Sequence, residues 1–160
     1  MAGEGDALAG LWLEGQKYFA GGHPDLREGE APAFAAVRAW LDAYFAGDDP
    51  GLSPRLSLEG TPFQKAVWRQ LLTIPRGQTT TYGAIARTLE METGKRVSAQ
   101  AVGGAVGRNP VSILVPCHRV VGTGGSLTGY AGGLDKKLWL LRHEGVDVSK
   151  LFYPQTGTAL

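Results

Sequence analysis

The sequence predicts an α+β protein, in which a small N-terminal region of short strands and one helix precedes a mainly helical domain with a helix-turn-helix. Three observations predict this class. The chain has 160 residues, of which 43% are hydrophobic and 19% are charged, so it can bury a real core. Apolar residues recur at intervals of three and four in several capped stretches, which predicts amphipathic helices. Short apolar runs next to turn residues predict brief strands.

The N-terminal region contains the first strands and the first helix. Residues 8–19 predict one or two short strands with a turn at Glu14-Gly15, and residues 20–31 predict a loop. Pro32 begins a helical stretch that Gly47 can cap at its end. The predicted core face of this helix consists of Phe34, Val37, Leu41 and Phe45. The predicted organisation is an N-terminal region (1–50), a linker (51–59), a second domain (60–150) and a tail (151–160).

The second domain opens with a clear helix-start signal. Thr61 is placed to cap a helix, Pro62 suits the first helical position, and Gln64 completes a capping box. The helix is predicted to end before Pro75. Its predicted core face consists of Phe63, Val67, Leu71 and Ile74.

Two more short helices are predicted next. A threonine caps the first, which continues through Ile85 and Leu89, and a polar, basic turn follows at 90–97. Ser98 is placed to cap the second, whose residues are nearly all small. This order is typical of a helix-turn-helix, but also of two packed helices in any α domain. The pattern alone therefore leaves DNA binding open.

The only cysteine, Cys117, lies in the apolar run 111–121, before a glycine-rich loop (122–133) and a final helix that ends at Gly145. A single cysteine forms neither an intramolecular disulfide nor a multi-cysteine zinc site, so no metal site is predicted.

Two interpretations of Cys117 remain open from the residues alone. A thiol becomes nucleophilic as the thiolate, and the adjacent His118 and Arg119 offer a base and a positive charge. Glu144 can orient the imidazole as in a catalytic triad. A buried structural cysteine within a strand accounts for the same pattern equally well.

Charge is distributed unevenly along the chain. Residues 1–60 carry 4 Lys/Arg and 10 Asp/Glu, whereas residues 61–160 carry 12 and 5. The basic part favours a polyanionic partner, although two mixed surfaces that differ by chance explain it too. No apolar run approaches the ~20 residues of a membrane helix. The N-terminus has no signal-peptide pattern, so a cytoplasmic location is expected.

The segment Pro116-Cys117-His118-Arg119-Val120 resembles the active-site motif of the O6-alkylguanine-DNA alkyltransferases, also called methylated-DNA–protein-cysteine methyltransferases. The resemblance covers about residues 33–147, is strongest over 60–145, and follows the family's order of motifs. The other motifs are Gly60-Thr61-Pro62-Phe63-Gln64, Val67-Trp68, Ile74-Pro75, Thr81-Tyr82-Gly83, Ala101-Val102-Gly103, Asn109-Pro110, Tyr130-Ala131-Gly132-Gly133 and Glu144-Gly145.

This resemblance implies a DNA repair protein that flips O6-alkylguanine out of the duplex and transfers the alkyl group irreversibly to its own Cys117. The transfer is expected once per molecule and without a cofactor. By resemblance, His118 takes the thiol proton through a water, and Glu144 holds His118. Tyr82 is expected to help rotate the nucleotide and to donate a proton near guanine N3. Asn109 is expected to support the turn and the thiol region.

The resemblance also implies where the partner, double-stranded DNA, is bound. The helix at 98–108 is expected in the minor groove, where small residues permit close approach. Arg119 is expected to be structural, paired with a carboxylate or carbonyls, and the protein is expected to be a monomer. The base pocket is expected to consist of Pro116, Val120, Tyr130, Ala131 and Gly132. The DNA-contacting residues are expected to be Thr81, Arg96, Ser98, Gln100, Ala101, Gly103 and Arg108.

The sequence departs from the family pattern in three places. Gln100 stands where many members have an arginine that fills the space of the flipped base, and it brings no charge and less stacking area. The turn 90–97 is longer than in many members. The N-terminal, RNase H-like sheet region is short, and a strand pair ahead of the segment 8–19 is expected to be missing, which would expose a sheet edge.

Three other functions fit parts of the pattern. A non-catalytic protein that binds alkyl lesions is the main alternative, but such proteins lack the active-site cysteine that Cys117 provides. A DNA-binding regulator would more typically carry polar, base-reading side chains on its second helix. A cysteine hydrolase would turn over repeatedly. Alkyl transfer is therefore the favoured function.

Overall fold

The computed structural model describes residues 1–20, 26–48, 50–51 and 53–154. These residues include five α-helices and two small sheets, which confirms the predicted α+β class. Most of the predicted tail, residues 155–160, lies outside the described part. Within the described ranges, no helix has the length and apolar character needed to span a bilayer.

The N-terminal sheet begins earlier in the chain than predicted. Strands β1 (Ala2–Glu4) and β2 (Ala7–Gly10) are antiparallel, so the expectation of no strand before residue 8 is wrong. The sequence of this segment predicts a loop because it is short and rich in glycine. Its strands form by pairing with each other and with residues of the predicted linker. Leu8 exchanges backbone hydrogen bonds with Arg55 (2.8 Å) and Ser57 (2.9 Å), so this edge of β2 is partly covered. The shortening of the sheet relative to the family stays a prediction.

Helix α1 (Pro32–Ala46) begins and ends where predicted. Phe34 and Val37 are buried as expected. The prediction for Phe45 is wrong, because its side chain is 46% exposed and Tyr44 is buried instead, at 1%. A hydrophobicity pattern favours phenylalanine over tyrosine for a core position, but the Tyr44 hydroxyl has a buried acceptor, described below.

Each of the next three helices begins after its predicted capping residue. Helix α2 (Pro62–Leu72) has the complete capping box of Thr61 and Gln64. Helices α3 (Tyr82–Thr93) and α4 (Ala99–Gly107) are capped by threonine and serine side chains. α4 packs against both α2 and α3. The order of α3 and α4 is that of the predicted helix-turn-helix, and the assignment of that motif stays a prediction.

The run 111–121 is a strand only at its end. Strand β3 (Thr80–Thr81) pairs in parallel with β4 (Val120–Val121), and a 3₁₀ turn at Cys117–Arg119 precedes β4. Helix α5 (Leu134–His143) then ends near the predicted position.

One main hydrophobic core contains residues from both predicted regions. Leu8 of β2 and Val37 of α1 belong to the same cluster as Trp68 of α2, Val102 of α4 and Leu140 of α5. The site described next lies where these elements meet. The division into two domains stays a prediction.

Candidate active site

Cys117 opens the 3₁₀ turn that follows Pro116, so the interpretation of a cysteine within a strand is wrong. In such a turn, successive side chains do not alternate between two faces as they do along a strand. The thiol is buried, at 5% exposed, and accepts a hydrogen bond from Nδ2 of Asn109 at 3.1 Å. Burial raises the pKa of Cys117, and the hydrogen bond from Asn109 acts in the opposite direction.

Asn109 ties the cysteine turn to the end of α4. Its Nδ2 also lies 2.8 Å from the carbonyl oxygen of Val115 and 3.2 Å from that of Val111. Its Oδ1 accepts a hydrogen bond from the Val111 amide at 3.0 Å. Both ends of the side-chain amide are therefore used, and they connect the thiol and the cysteine turn to the segment that follows α4.

Glu144, next to the end of α5, collects three side chains from different parts of the chain. Its Oε1 lies 2.7 Å from Nε2 of His118 and accepts from the Tyr44 hydroxyl at 2.8 Å. Arg119 donates from Nε to Oε2 at 2.7 Å and from Nη2 to Oε1 at 2.9 Å. Burial raises the pKa of Glu144, but the hydrogen bonds and charges of His118 and Arg119 outweigh burial and hold it well below its ordinary value. Glu144 is therefore ionised at neutral pH.

His118 is fully buried beside this carboxylate. Burial lowers the pKa of His118, and although the hydrogen bond and charge of Glu144 raise it, the pKa stays below its ordinary value, so the imidazole is neutral. An ionised Glu144 only accepts hydrogen bonds, which places the imidazole proton on Nε2 and a lone pair on Nδ1. Nδ1 has no hydrogen-bond partner among the described residues. His118 therefore has one nitrogen free to act as a base.

Arg119 has the structural role expected of it. Besides the two bonds to Glu144, its Nη1 donates to the carbonyl oxygen of Ile74 at 2.5 Å. The guanidinium thus neutralises Glu144 and joins the cysteine turn to the end of α2. Within the described ranges, no group of three or more His, Cys, Asp or Glu residues is placed to hold a metal ion.

Lys137 is a site residue that the sequence analysis missed. It is fully buried in α5, and its Nζ donates to the carbonyl oxygen of Thr128 at 2.8 Å. Burial lowers the pKa of Lys137 to about 8, and the charge of a Cys117 thiolate raises it. The sequence could have predicted the burial of Lys137, because it precedes the buried Leu140, Leu141 and Glu144 by three, four and seven residues and so lies on the same face of the helix.

Tyr82 connects the start of α3 to the glycine-rich loop. Its hydroxyl lies 3.0 Å from the carbonyl oxygen of Thr128 and 2.8 Å from that of Gly129. Burial raises the pKa of Tyr82 above its ordinary value, so the phenol is protonated at neutral pH. Thr128 thus accepts from both Tyr82 and Lys137, and this links the loop to the two helices.

The predicted base-pocket residues lie around the same loop and turn. Pro116, Val120 and Tyr130 are buried, whereas Ala131 and Gly132 are half-buried. The Tyr130 hydroxyl has no hydrogen-bond partner among the described residues.

The predicted DNA-contacting residues are divided between exposed and buried positions. Exposed ones are Arg96 in the turn before α4, Ser98, Gln100 and Ala101 at its start, and Arg108 at its end. Thr81 is half-buried, because its side chain caps α3. Gly103 is buried against Tyr82, whose Cδ1 would lie 3.8 Å from a Cβ at this position. Gly103 therefore lies against α3 in this structure instead of forming part of the exposed face.

Comparisons with known proteins show which family this chain resembles. Residues 62–146 match the family model of the 6-O-methylguanine DNA methyltransferase DNA-binding domain. The methylated-DNA–protein-cysteine methyltransferase of Mycobacterium leprae is 47% identical over 147 residues, which cover 90% of this chain and 84% of the relative. The protein of that name from Methanosarcina acetivorans is 52% identical over 112 residues, covering 70% and 69%.

Solved structures show the same similarity. The crystal structure of Mycobacterium tuberculosis OGT in complex with DNA has a TM-score of 0.78 and 41% identity, over 94% of this chain and 86% of that chain. A crystal structure of the Mycobacterium tuberculosis O6-methylguanine methyltransferase has a TM-score of 0.75 and 41% identity, over 96% and 87%.

Proposed function

The chain belongs to the methylated-DNA–protein-cysteine methyltransferase family, and on that premise we propose that it repairs O6-alkylguanine in double-stranded DNA by transferring the alkyl group to Cys117. One observation carries the proposal. The buried Cys117 thiol accepts a hydrogen bond from Asn109 and is followed in sequence by a neutral His118. Nε2 of His118 is bound to an ionised Glu144, and its Nδ1 is free within the described part of the chain. Each molecule reacts once, and no cofactor takes part.

The first step removes the thiol proton. Nδ1 of His118 takes it through a bridging water, because Nε2 is already bound to Glu144. The ionised Glu144 stabilises the imidazolium that forms. The Lys137 ammonium and the Asn109 amide stabilise the thiolate, which burial alone disfavours.

The second step transfers the alkyl group. The Cys117 sulfur attacks the alkyl carbon, the bond from that carbon to O6 breaks, and its electron pair goes to the purine. Tyr82 supplies the proton that the purine takes up at N3, and the proton that His118 gained restores the Tyr82 hydroxyl. The Tyr82 hydroxyl donates to the carbonyl oxygens of Thr128 and Gly129 in the glycine-rich loop, and its role as proton donor requires that it exchange those hydrogen bonds for one to the base.

The products explain the single turnover. The DNA regains guanine, and Cys117 becomes a thioether, which has no acidic proton and is a poor leaving group in water. The protein is therefore consumed in proportion to the lesions that it repairs.

DNA is proposed to bind through its minor groove at α4. The exposed start of the helix carries Ser98, Gln100 and Ala101, whose small or uncharged side chains allow close approach without a sequence requirement. The alkyl carbon lies within the duplex, so the nucleotide must rotate out towards Cys117, with Gln100 replacing it in the stack. Exposed cations that surround α4 and can neutralise phosphates are Arg69, Arg87, Lys95, Arg96 and Arg108.

The active form is proposed to be a monomer, since one chain brings together Cys117, Asn109, His118 and Glu144. The cytoplasmic location stays a prediction.

The alternative of a non-catalytic lesion binder is less favoured. Such a protein needs no thiol, no hydrogen bond to a thiol and no histidine with a free ring nitrogen next to the thiol in sequence. Cys117, Asn109 and His118 together supply all three.

A titration tests the proposal. Increasing amounts of protein are mixed with a fixed amount of duplex that contains one O6-methylguanine, and the repaired strand is quantified by mass spectrometry. We expect one repaired guanine per protein molecule, and none with Cys117→Ala. A plateau well above one per molecule would indicate a multiple-turnover enzyme. Tight lesion binding without repair by the wild-type protein would indicate the lesion binder.

A further inference from the structure

The exposed segment Lys17–Phe19 lies between the end of α4 and the glycine-rich loop, at the border of the site described above. The backbone amide of Lys17 donates to the carbonyl oxygen of Ala131 at 3.0 Å. The Arg108 guanidinium lies over the Tyr18 ring, 5.4 Å from its centroid. Ala131 borders the proposed base pocket and Arg108 follows the proposed DNA-binding helix, so this segment bridges the two.

The turn before this segment holds it in place. Oε1 of the buried Gln16 accepts hydrogen bonds from the Leu13 amide at 2.7 Å and from the Ser112 hydroxyl at 2.9 Å. Tyr18 has a left-handed backbone with φ of 62°, a conformation that costs free energy for any residue with a side chain of this size. The surrounding contacts therefore hold the backbone of this segment in place.

This segment exposes the side-chain types that are typical of a nucleic-acid-binding surface. The side chains of Tyr18 and Phe19 are 45% and 61% exposed. Nζ of Lys17 lies 5.7 Å from the Tyr18 ring centroid, so two cations flank one exposed ring. Aromatic rings stack on bases of any sequence, and adjacent cations bind phosphates. An unpaired DNA strand combines flat apolar faces with negative charge, which complements this surface.

We propose that Lys17, Tyr18, Phe19 and Arg108 form a platform that binds a nucleotide next to the lesion on the damaged strand, once extrusion of the lesion has opened its pairing. When DNA binds, Lys17 and Arg108 leave the Tyr18 ring for the flanking phosphates, the freed ring stacks on the base, and Phe19 extends the apolar surface. This inference rests on the proposed function, because extrusion of the lesion next to α4 is what unpairs the strand at this place. The platform provides a second contact to DNA beyond the minor groove.

Fluorescence anisotropy with a labelled, lesion-free oligothymidine tests the platform in the full-length protein. Tyr18→Asn removes the ring and retains a residue type that tolerates a left-handed backbone. We expect it to weaken single-strand binding about tenfold, and Tyr18→Phe to weaken it less than about twofold. Lys17→Gln should reduce the slope of log affinity against log salt by about 0.7.

Tyr153→Asn is the matched control, because Tyr153 is a comparably exposed tyrosine (48%) whose hydroxyl donates to Asp135 at the start of α5. It should bind the oligothymidine as the wild-type protein does. Wild-type affinity in Tyr18→Asn would overturn the platform, and so would an equal loss in Tyr153→Asn.

The methyl-transfer titration on the same preparations separates this inference from the proposed function. Transfer by Tyr18→Asn, still limited to one methyl per chain, would show that the variant is folded and would assign its weaker single-strand binding to the platform. Normal transfer together with normal single-strand binding by Tyr18→Asn would overturn the platform alone. Absence of transfer by the wild-type protein would overturn the proposed function, even if single-strand binding still depended on Tyr18.

Discussion

The two halves of the chain contribute to the candidate site in different ways. The C-terminal half supplies the proposed reacting groups and has an excess of basic residues, whereas residues 1–60 carry 10 Asp/Glu against 4 Lys/Arg. Yet Tyr44 of α1 donates to Glu144, and Gln16 accepts a hydrogen bond from Ser112. The C-terminal half, which contains most of the family motifs, thus carries the proposed chemistry. Side chains of the N-terminal half that belong to no recognisable motif help to hold the candidate site in place.

The largest effect is expected at Glu144, where both halves meet. Glu144→Gln leaves the Arg119 charge without its carboxylate, so we expect the free energy of unfolding to fall by about 3–5 kcal/mol and methyl transfer to be strongly reduced. The pKa of Glu144 is held below its ordinary 4.5. The stability advantage of the wild-type protein over Glu144→Gln is therefore fully present above pH 4.5 and declines as the pH falls well below that value. Urea unfolding at several pH values measures this advantage.

Glu59→Gln serves as the control for that experiment, because the Glu59 side chain is 70% exposed. It should unfold as the wild-type protein does. Equal destabilisation in the two variants would contradict the role given to the buried carboxylate network.

Tyr44→Phe tests whether the N-terminal half acts on the site. It removes one hydrogen bond to an ionised group, and we expect a loss of about 2 kcal/mol in unfolding free energy, with slower methyl transfer. Phe45→Leu changes the exposed neighbouring ring and should leave the transfer rate unchanged. Rapid-quench measurement of the methylated protein gives both rates. If Tyr44→Phe transferred methyl groups at the wild-type rate, the N-terminal half would be only a scaffold.

Lys137→Met tests a residue within the C-terminal half that carries no motif. Loss of the buried ammonium should slow transfer at pH 7 about tenfold, equivalent to about 1.4 kcal/mol, because the thiolate is less stabilised. The pKa of Lys137 is about 8, so the ammonium is present below that pH and lost above it. The ratio of wild-type to variant rate should therefore fall as the pH rises through 8.

The exposed neighbour Lys136 provides the control for this pH series. Lys136→Met should keep the wild-type rate at every pH. A rate ratio for Lys137→Met that does not change with pH would contradict an electrostatic role for Lys137.

The smallest effect is expected at a local helix signal. Thr61→Ala removes the side-chain cap of α2, and we expect about 1 kcal/mol less stability with unchanged transfer at saturating protein. Thermal unfolding should show no change for Thr79→Ala, an exposed threonine outside any helix cap. A marked loss of transfer in Thr61→Ala would mean that α2 contributes to the chemistry beyond its place in the fold.

Features that depend on residues close together in the sequence, such as helix caps, could be predicted from the sequence. The caps of α2, α3 and α4 were correct, because a capping side chain and its amide partners lie within one turn of each other. The family resemblance led to the correct family, which the similarity to known proteins confirmed. The roles of the individual site residues remain predictions that the experiments above address.

Interactions between distant parts of the chain were not predictable in the same way. Strands β1 and β2 depend on pairing with each other and with residues 55–57, and no local pattern records that pairing. Tyr44 replaced Phe45 in the core because its hydroxyl meets Glu144, 100 residues away in sequence. The segment around Cys117 was predicted to be a strand because many of its residues are apolar and β-branched. In the structure, hydrogen bonds from Asn109 hold the backbone there in a turn.

The most direct test of the central claim is the intact mass of the protein after reaction with excess duplex that contains one O6-methylguanine, followed by peptide mapping. The account predicts a gain of one methyl group per chain, located on Cys117, and no gain in Cys117→Ala. A methyl group on another residue, or an unchanged mass while the DNA is repaired, would contradict transfer to this thiol.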